Sequence, residues 1–176
     1  MERKRITAYI EVTFAVIVWG ASFIATKLAL RDLSPVTVVW LRFLIGVVIL
    51  VVAARIRHQY SLPKKREWLY LAMLGFLGIT FHQWLQSTGL MTVQASTTAW
   101  VVATTPVFIA ILGWLFLHEK LDWLQVSGII LAAVGVLLVV TKGNFSGLFS
   151  GQFGTQGDIL ILISALNWAV FSILST

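Results

Sequence analysis

Polar side chains inside otherwise apolar runs are the residues of this 176-residue sequence that could do chemistry. His82 and Gln86 are four residues apart and share one face of a helix. An imidazole that titrates near neutrality could relay protons, and the carboxylate of Glu11 in an earlier run is a second candidate for proton coupling. The alternatives are a hydrogen-bonded, structural His82 and an interfacial Glu11 that pairs with nearby basic residues.

Aromatic and hydroxyl residues recur at helical spacing in two further runs. In the first apolar run, one helical face carries Trp19, Ser22, Phe23 and Thr26. In the fourth run, the corresponding spacing is found for Thr97, Trp100 or Val101, and Thr104. Each face forms either the wall of a cavity or an ordinary packing surface. Pro106 follows them and removes a backbone donor, so it predicts a kink that either acts as a hinge or is simply tolerated.

Several kinds of chemistry lack the residues that they require. The sequence has no cysteine and no second histidine at ligand spacing from His82, so we expect neither a metal site nor a cofactor. An intramembrane enzyme would need a nucleophile with a base or clustered ligands, and no G-x-S-x-G motif is present. We therefore assign no catalytic residue and do not expect an enzyme.

The composition indicates that lipid is the solvent of these residues. The chain is 59% hydrophobic and only 11% charged, and its mean hydropathy is +0.91. Soluble domains are about half apolar and about a quarter charged. A soluble enzyme or a nucleic-acid-binding module is thereby disfavoured in spite of the net charge of +6, and membrane lipid is the expected partner rather than nucleic acid.

Five apolar runs are long enough to cross a membrane, which takes roughly 20 residues. They cover 8–30, 36–54, 68–88, 95–117 and 122–141, and a sixth runs from Asp158 to Thr176. These runs are apolar nearly all round, which is typical of membrane helices. The sequence therefore predicts an all-α, polytopic transmembrane bundle.

The distribution of Lys and Arg predicts the topology, because these residues accumulate in cytoplasmic loops. If the N-terminus is cytoplasmic, the outer segments carry only Arg31 and Lys142. The inner segments then carry Arg3, Lys4, Arg5, Arg55, Arg57, Lys64, Lys65, Arg66 and Lys120. We expect a multi-pass protein of a bacterial-type cytoplasmic membrane with its N-terminus inside.

The sequence divides at a stretch rich in glycine. Residues 1–142 form a first five-helix unit, 143–157 an outward linker, and 158–176 the truncated start of a second unit. Trp19 and Trp168 lie at similar depths from the starts of their spans. Because five spans separate the two starts, the second unit enters from the opposite face, as in the inverted repeats of secondary transporters.

The sequence resembles the EamA-type transporters of the drug/metabolite transporter superfamily. The similar segments are TFAVIVWGASFIATKLAL, VTVVWLRFLIGVVIL, GLMTVQASTTAWVVATTPVFIAILGWLFLHEKLDWLQVSGIILAAVGVLLVV and GDILILISALNWAVFSILS. The resemblance implies two five-helix repeats and thus half of an inverted-repeat fold here. It also implies that Glu119 is the family's recurring acid, which holds an inner loop or gate by charge pairing.

The resemblance further implies a secondary transporter that exports small metabolites by alternating access. Aromatic walls with few fixed charges favour amino-acid-like or amphipathic substrates. A second repeat or a homodimer is expected to complete the cavity, because one repeat does not enclose a site that lies between two. The alternatives are a non-transporting partial or assembly subunit and, more remotely, an intramembrane enzyme.

Overall fold

The computed structural model describes residues 2–58, 62–141, 143 and 155–175, and these ranges contain helices and no β-strand. The predicted all-α fold class is confirmed. The α-helices, in chain order, are α1 (Glu2–Ala29), α2 (Pro35–Ile56), α3 (Trp68–Gly75), α4 (His82–Thr92), α5 (Ala95–Val102), α6 (Thr105–Phe116), α7 (Trp123–Val140) and α8 (Gln156–Leu174).

Within the residues that the structure describes, five helical segments are long and apolar enough to cross a membrane. They are Arg5–Ala29, Pro35–Ile56, Ala95–Phe116, Trp123–Val140 and Gln156–Leu174. These segments match the first, second, fourth, fifth and sixth predicted spans within a few residues at their ends. Most of the predicted glycine-rich linker at 143–157 lies outside the described residues.

Side-chain hydrogen bonds cap the N-termini of several of these helices. The Ser34 hydroxyl accepts a hydrogen bond from the Thr37 amide at 3.2 Å, with Pro35 at the first helical position of α2. Asp122 and Gln125 form a reciprocal capping box at the start of α7, and Thr155 and Asp158 form one at α8. The helix starts are therefore encoded by residues adjacent to each apolar run.

The third predicted span is helical but not uniformly α-helical. A π-helical segment, Phe76–Phe81, connects α3 to α4, and the helix extends to Thr92 rather than ending at 88. A π turn leaves backbone carbonyls with altered pairing. Asn167 of α8 donates from Nδ2 to the Leu77 oxygen at 2.7 Å, so the sixth span supports the π-helical segment directly.

The fourth predicted span is divided at Ala103 and Thr104, where α5 ends and α6 begins. Pro106 lacks the N–H that would bond to the Val102 carbonyl in a continuous helix. The Thr105 hydroxyl donates to that carbonyl at 2.6 Å, and the Thr104 hydroxyl donates to the Val101 carbonyl at 2.6 Å. The Thr105 hydroxyl thus replaces the donor that Pro106 lacks, whereas the Val101 carbonyl accepts from both the hydroxyl and the backbone N–H of Thr104.

Helix α8 lies at the centre of the described bundle and packs against α4, α5 and α6. Its residues Ile161, Ser164 and Ala165 have no exposed surface. One apolar cluster joins Phe23 of α1 to α5, α7 and α8, and a second joins α1, α2 and α4 through Leu30, Val38 and Leu90. The packing therefore brings parts of α1, α4, α5, α6 and α8 around one point.

Candidate functional site

A cavity of about 560 Å³ lies where α1, α4, the α5–α6 break and α8 meet. Its volume falls within the range of small-molecule pockets. The described residues that line it include no carboxylate, lysine or arginine. Its polar and aromatic wall contains Trp19, His82, Gln83, Gln86, Thr105 and Trp168, and we call this space the central cavity.

Helix α4 places His82 and Gln86 one turn apart in the cavity wall, as their spacing predicted. Both side chains are buried, with 5% and 6% of their surface exposed. The Nδ1 atom of His82 lies 2.9 Å from the carbonyl oxygen of Ser164. The imidazole ring also packs at a tilt against the indole of Trp168, with 4.8 Å between ring centroids. Helix α8 therefore fixes the orientation of this histidine.

The four candidates on α1 divide between different environments. Trp19 lines the central cavity, whereas Phe23 is buried in the apolar core between α1, α5, α7 and α8. The Ser22 hydroxyl donates to the Trp19 carbonyl at 2.6 Å and so satisfies backbone rather than facing the cavity. Thr26 is half-buried and does not line the cavity. One helical face thus combines a cavity residue with core and backbone contacts.

The three cavity candidates of the fourth span, Thr97, Trp100 and Thr104, also lie in different environments. Thr97 is half-buried outside the central cavity, and Trp100 is 66% exposed on the surface of the bundle. Thr104 lines a different space, an apolar groove of about 310 Å³ between α6, α7 and α8. These three residues therefore do not share one wall, and the break after α5 takes Thr104 out of the helical period of Thr97 and Trp100. Pro106, predicted as a hinge, does line the central cavity.

The two candidate glutamates lie away from the central cavity. Glu11 is exposed on the N-terminal half of α1. Glu119 is exposed in the connection between α6 and α7, and its backbone N–H donates to the Gly113 carbonyl at 3.3 Å. The structure therefore does not bring either carboxylate to His82 within the cavity wall. Within the described ranges, no group of three or more His, Asp or Glu residues could hold a metal ion.

Among the polar and aromatic residues that line the cavity, sequence reasoning did not assign three. Gln83 belongs to the same polar patch as His82, and Trp168 is the aromatic residue that aligns with Trp19, so both carried a signal in the sequence. Thr105 carried no such signal in the sequence, because its position in the wall of the central cavity depends on the break between α5 and α6.

Lys27 has a structural role that the sequence did not reveal. Its ammonium donates to the carbonyl oxygens of Leu90 at 2.6 Å, Val93 at 2.5 Å and Met91 at 3.3 Å. These carbonyls lie at the end of α4, where helical N–H partners run out. Lys27 therefore holds α1 against the turn between α4 and α5.

Membrane-length apolar helices around a small-molecule-sized cavity define a polytopic membrane protein. Residues 6–141 match the EamA-like transporter family, and the chain belongs to that family. It is therefore an integral membrane protein of a transporter family, as its sequence predicted.

The relatives carry transporter names. A protein of Archaeoglobus fulgidus named uncharacterized transporter is 28% identical over 160 residues, which are 91% of this chain and 54% of that protein. The uncharacterized transporter YvbV of Bacillus subtilis (strain 168) is 32% identical over 157 residues, 89% of this chain and 50% of YvbV. The uncharacterized inner membrane transporter YedA of Escherichia coli (strain K12) is 29% identical over 160 residues, 89% of this chain and 49% of YedA.

The chain spans about half the length of these curated relatives. No solved structure matches it significantly.

Proposed function

We propose that this protein is a secondary transporter that exports small neutral or zwitterionic metabolites by alternating access. The observation that carries the proposal is the position of the central cavity. Its walls come from the family-matched residues 6–141 and from α8, which follows them in the chain. In transporters built from inverted repeats, the substrate site lies at the interface between repeats.

The chemistry of the cavity wall supports this substrate class. Trp19 and Trp168 offer aromatic surface, and Gln83 and Gln86 offer amides that can donate and accept hydrogen bonds. A substrate with a net charge would meet no charged partner among the described lining residues. Amino-acid-like and amphipathic compounds combine apolar and hydrogen-bonding parts, so they fit this wall.

A second repeat or a second copy of the chain completes the cavity in this proposal. Trp19 is still 52% exposed although it lines the cavity, so a further element can cover it. The length of the relatives, about twice that of this chain, supports a second repeat. The proposal also includes a cytoplasmic N-terminus and movement of the substrate from the cytoplasm to the outside.

Transport by the purified protein in proteoliposomes tests the proposal. The probes are radiolabelled alanine, leucine and threonine. We expect at least one probe to exchange faster than in empty liposomes, and Trp19→Ala or Gln86→Ala to reduce that rate about tenfold, the loss that corresponds to one good hydrogen bond or aromatic contact. Loading the probe inside cells and following its efflux tests the direction.

Trp100→Ala is the matched control, because Trp100 lies on a neighbouring helix but faces away from the bundle. It should leave exchange within about twofold of the unmodified protein. If no probe exchanges above the level of empty liposomes, or if Trp100→Ala reduces exchange as much as Trp19→Ala, the proposal is wrong.

A further inference from the structure

The hydrogen bond between His82 and Ser164 determines which atom of His82 faces the central cavity. A carbonyl oxygen only accepts hydrogen bonds, so the Nδ1 atom, 2.9 Å from the Ser164 oxygen, carries a proton. A neutral imidazole has a single N–H, which leaves Nε2 as an acceptor. The neutral form is the one that this wall suits, because no carboxylate among the described lining residues would pair with an imidazolium.

The Nε2 atom of His82 is both unpaired and accessible. Among the described residues, nothing hydrogen-bonds to this atom or to the side-chain amide of Gln86. Within the described residues, two side-chain polar atoms are both unpaired and completely buried, the hydroxyls of Thr88 and Thr98. The Nε2 atom of His82 is not one of them, so it keeps some accessible surface. His82 and Gln86 are more than nine-tenths buried and line the cavity, so their free groups contact the cavity itself.

We propose that His82 is a specificity-determining residue whose Nε2 accepts a hydrogen bond from the ligand, so the cavity selects molecules without a net charge that carry an N–H donor. The inference rests on the proposed function and specifies the ligand of the same cavity. Trp19 and Trp168 add aromatic surface to the same wall, where the apolar part of a ligand can pack. The neighbouring amide of Gln86 can meet a second polar atom of the ligand.

The physical basis of the selection is the cost of burying an unpaired acceptor. A ligand without a donor displaces water from Nε2 and leaves it without a hydrogen bond, whereas a ligand with a donor replaces that water. Binding sites built around a hydrogen bond reject analogues that cannot make it. This role differs from proton relay. The proton stays on Nδ1, which donates it in a hydrogen bond to the Ser164 carbonyl, and His82 offers the ligand only the acceptor Nε2.

Benzimidazole and 1-methylbenzimidazole form a probe pair that isolates this hydrogen bond. Both are planar and uncharged at mildly alkaline pH, and only benzimidazole has a ring N–H. The methyl group adds apolar surface, so hydrophobic burial alone predicts tighter binding of the methylated probe. We expect the opposite order, with benzimidazole binding at least about tenfold more tightly to the protein in nanodiscs. Isothermal titration calorimetry, with empty nanodiscs as the blank, measures both affinities.

Two substitutions separate the two ring nitrogens. His82→Asn places an amide near the position of Nδ1, so it can still donate to Ser164 but lacks the acceptor at the cavity. His82→Gln reaches the position of Nε2 and keeps an acceptor there. We expect His82→Asn to abolish the preference for benzimidazole and His82→Gln to retain it. Trp100→Ala, at the bundle surface, should leave the preference unchanged.

Nuclear magnetic resonance of the unmodified protein with ¹⁵N-labelled histidine provides a test that does not depend on a variant folding. The other two histidines, His58 and His118, are exposed outside the cavity. Benzimidazole should shift the signal of the unprotonated ring nitrogen of His82, and 1-methylbenzimidazole should shift it much less. Equal shifts with both probes, or no shift with either, would overturn the inference.

The binding experiments and the transport experiments can refute the inference and the proposed function separately. The inference is wrong if neither probe binds, if both bind equally, or if His82→Asn keeps the preference. If the preference for benzimidazole depends on His82 but no compound is transported, the inference stands and the proposed function fails. If transport is observed without any donor preference, the proposed function stands and the inference fails.

Discussion

The ammonium of Lys27 meets three carbonyl oxygens at the end of α4, and this contact explains how a charge is accommodated within an apolar helix. The ammonium has three N–H donors, and Leu90, Met91 and Val93 supply three acceptors. A cation at the C-terminal end of a helix also interacts favourably with the helix dipole. We therefore expect Lys27 to contribute to stability rather than to reach toward water.

Lys27→Met should lower the free energy of unfolding by about 2 kcal/mol, the range for hydrogen bonds from a charged donor. The methionine keeps the apolar stem of the side chain, so the loss reports on the ammonium. Reversible unfolding in mixed detergent micelles measures the change. Arg31→Met is the control, because Arg31 is an exposed cation just beyond α1. Equal losses in the two variants would contradict a specific role for Lys27.

The sequence predicted part of the cavity at the scale of the residue. Trp19, His82 and Gln86 lie in its wall, as their spacing along α1 and α4 allowed. Phe23 shares the helical face of Trp19 but packs into the core, because α5, α7 and α8 converge on it. Spacing along one helix defines a face, and only the neighbouring helices decide which part of that face is cavity and which is core.

At the scale of the element, α4 and α8 approach each other closely through two glycines. A Cβ atom placed on Gly89 would lie 2.8 Å from the backbone oxygen of Gly157, and one on Gly157 would lie 2.6 Å from the Gly89 oxygen. Small residues allow two membrane helices to approach this closely. This approach brings Ser164 within hydrogen-bonding distance of His82, so the glycines help to position the cavity wall.

Gly89→Ala should destabilise the protein by about 1–3 kcal/mol, because the added methyl group meets backbone that cannot rotate away. Gly128→Ala is the matched control in α7, where a Cβ atom would meet nothing within 4 Å. That change should be neutral or stabilising, since alanine favours a helix by up to about 1 kcal/mol over glycine. Unfolding in mixed micelles compares them, and similar effects of the two changes would argue against the tight contact.

The helix irregularities show the limit of sequence-based prediction at this scale. Pro106 predicted a disturbance in the fourth span, and the break lies two residues before it, where the Thr104 and Thr105 hydroxyls donate to the Val101 and Val102 carbonyls. The π-helical segment Phe76–Phe81 carried no such signal. Its altered backbone is supported by Asn167, which is about 90 residues away in the chain, and contacts of that range are absent from a local pattern.

At the scale of the whole molecule, the apolar runs predicted where helices form but not which helix is central. The α8 run is less apolar than those of α2 and α7, yet Ile161, Ser164 and Ala165 have no exposed surface. Small residues in α8 and Gly89 of α4 permit this position, because close packing in lipid depends on fit rather than on hydrophobicity. The predicted topology has a different basis, since charges in the loops govern it.

Single cysteines test the topology cleanly, because the native chain contains none. Asp32→Cys and Leu62→Cys place one thiol in each of two exposed connections and leave every Lys and Arg in place. With the N-terminus in the cytoplasm, a membrane-impermeant maleimide should label Asp32→Cys in intact cells and Leu62→Cys only after permeabilisation. The reverse pattern would place the N-terminus outside. Labelling of both in intact cells would mean that the protein inserts in two orientations, which would allow two copies to pair antiparallel and complete the cavity without a second repeat.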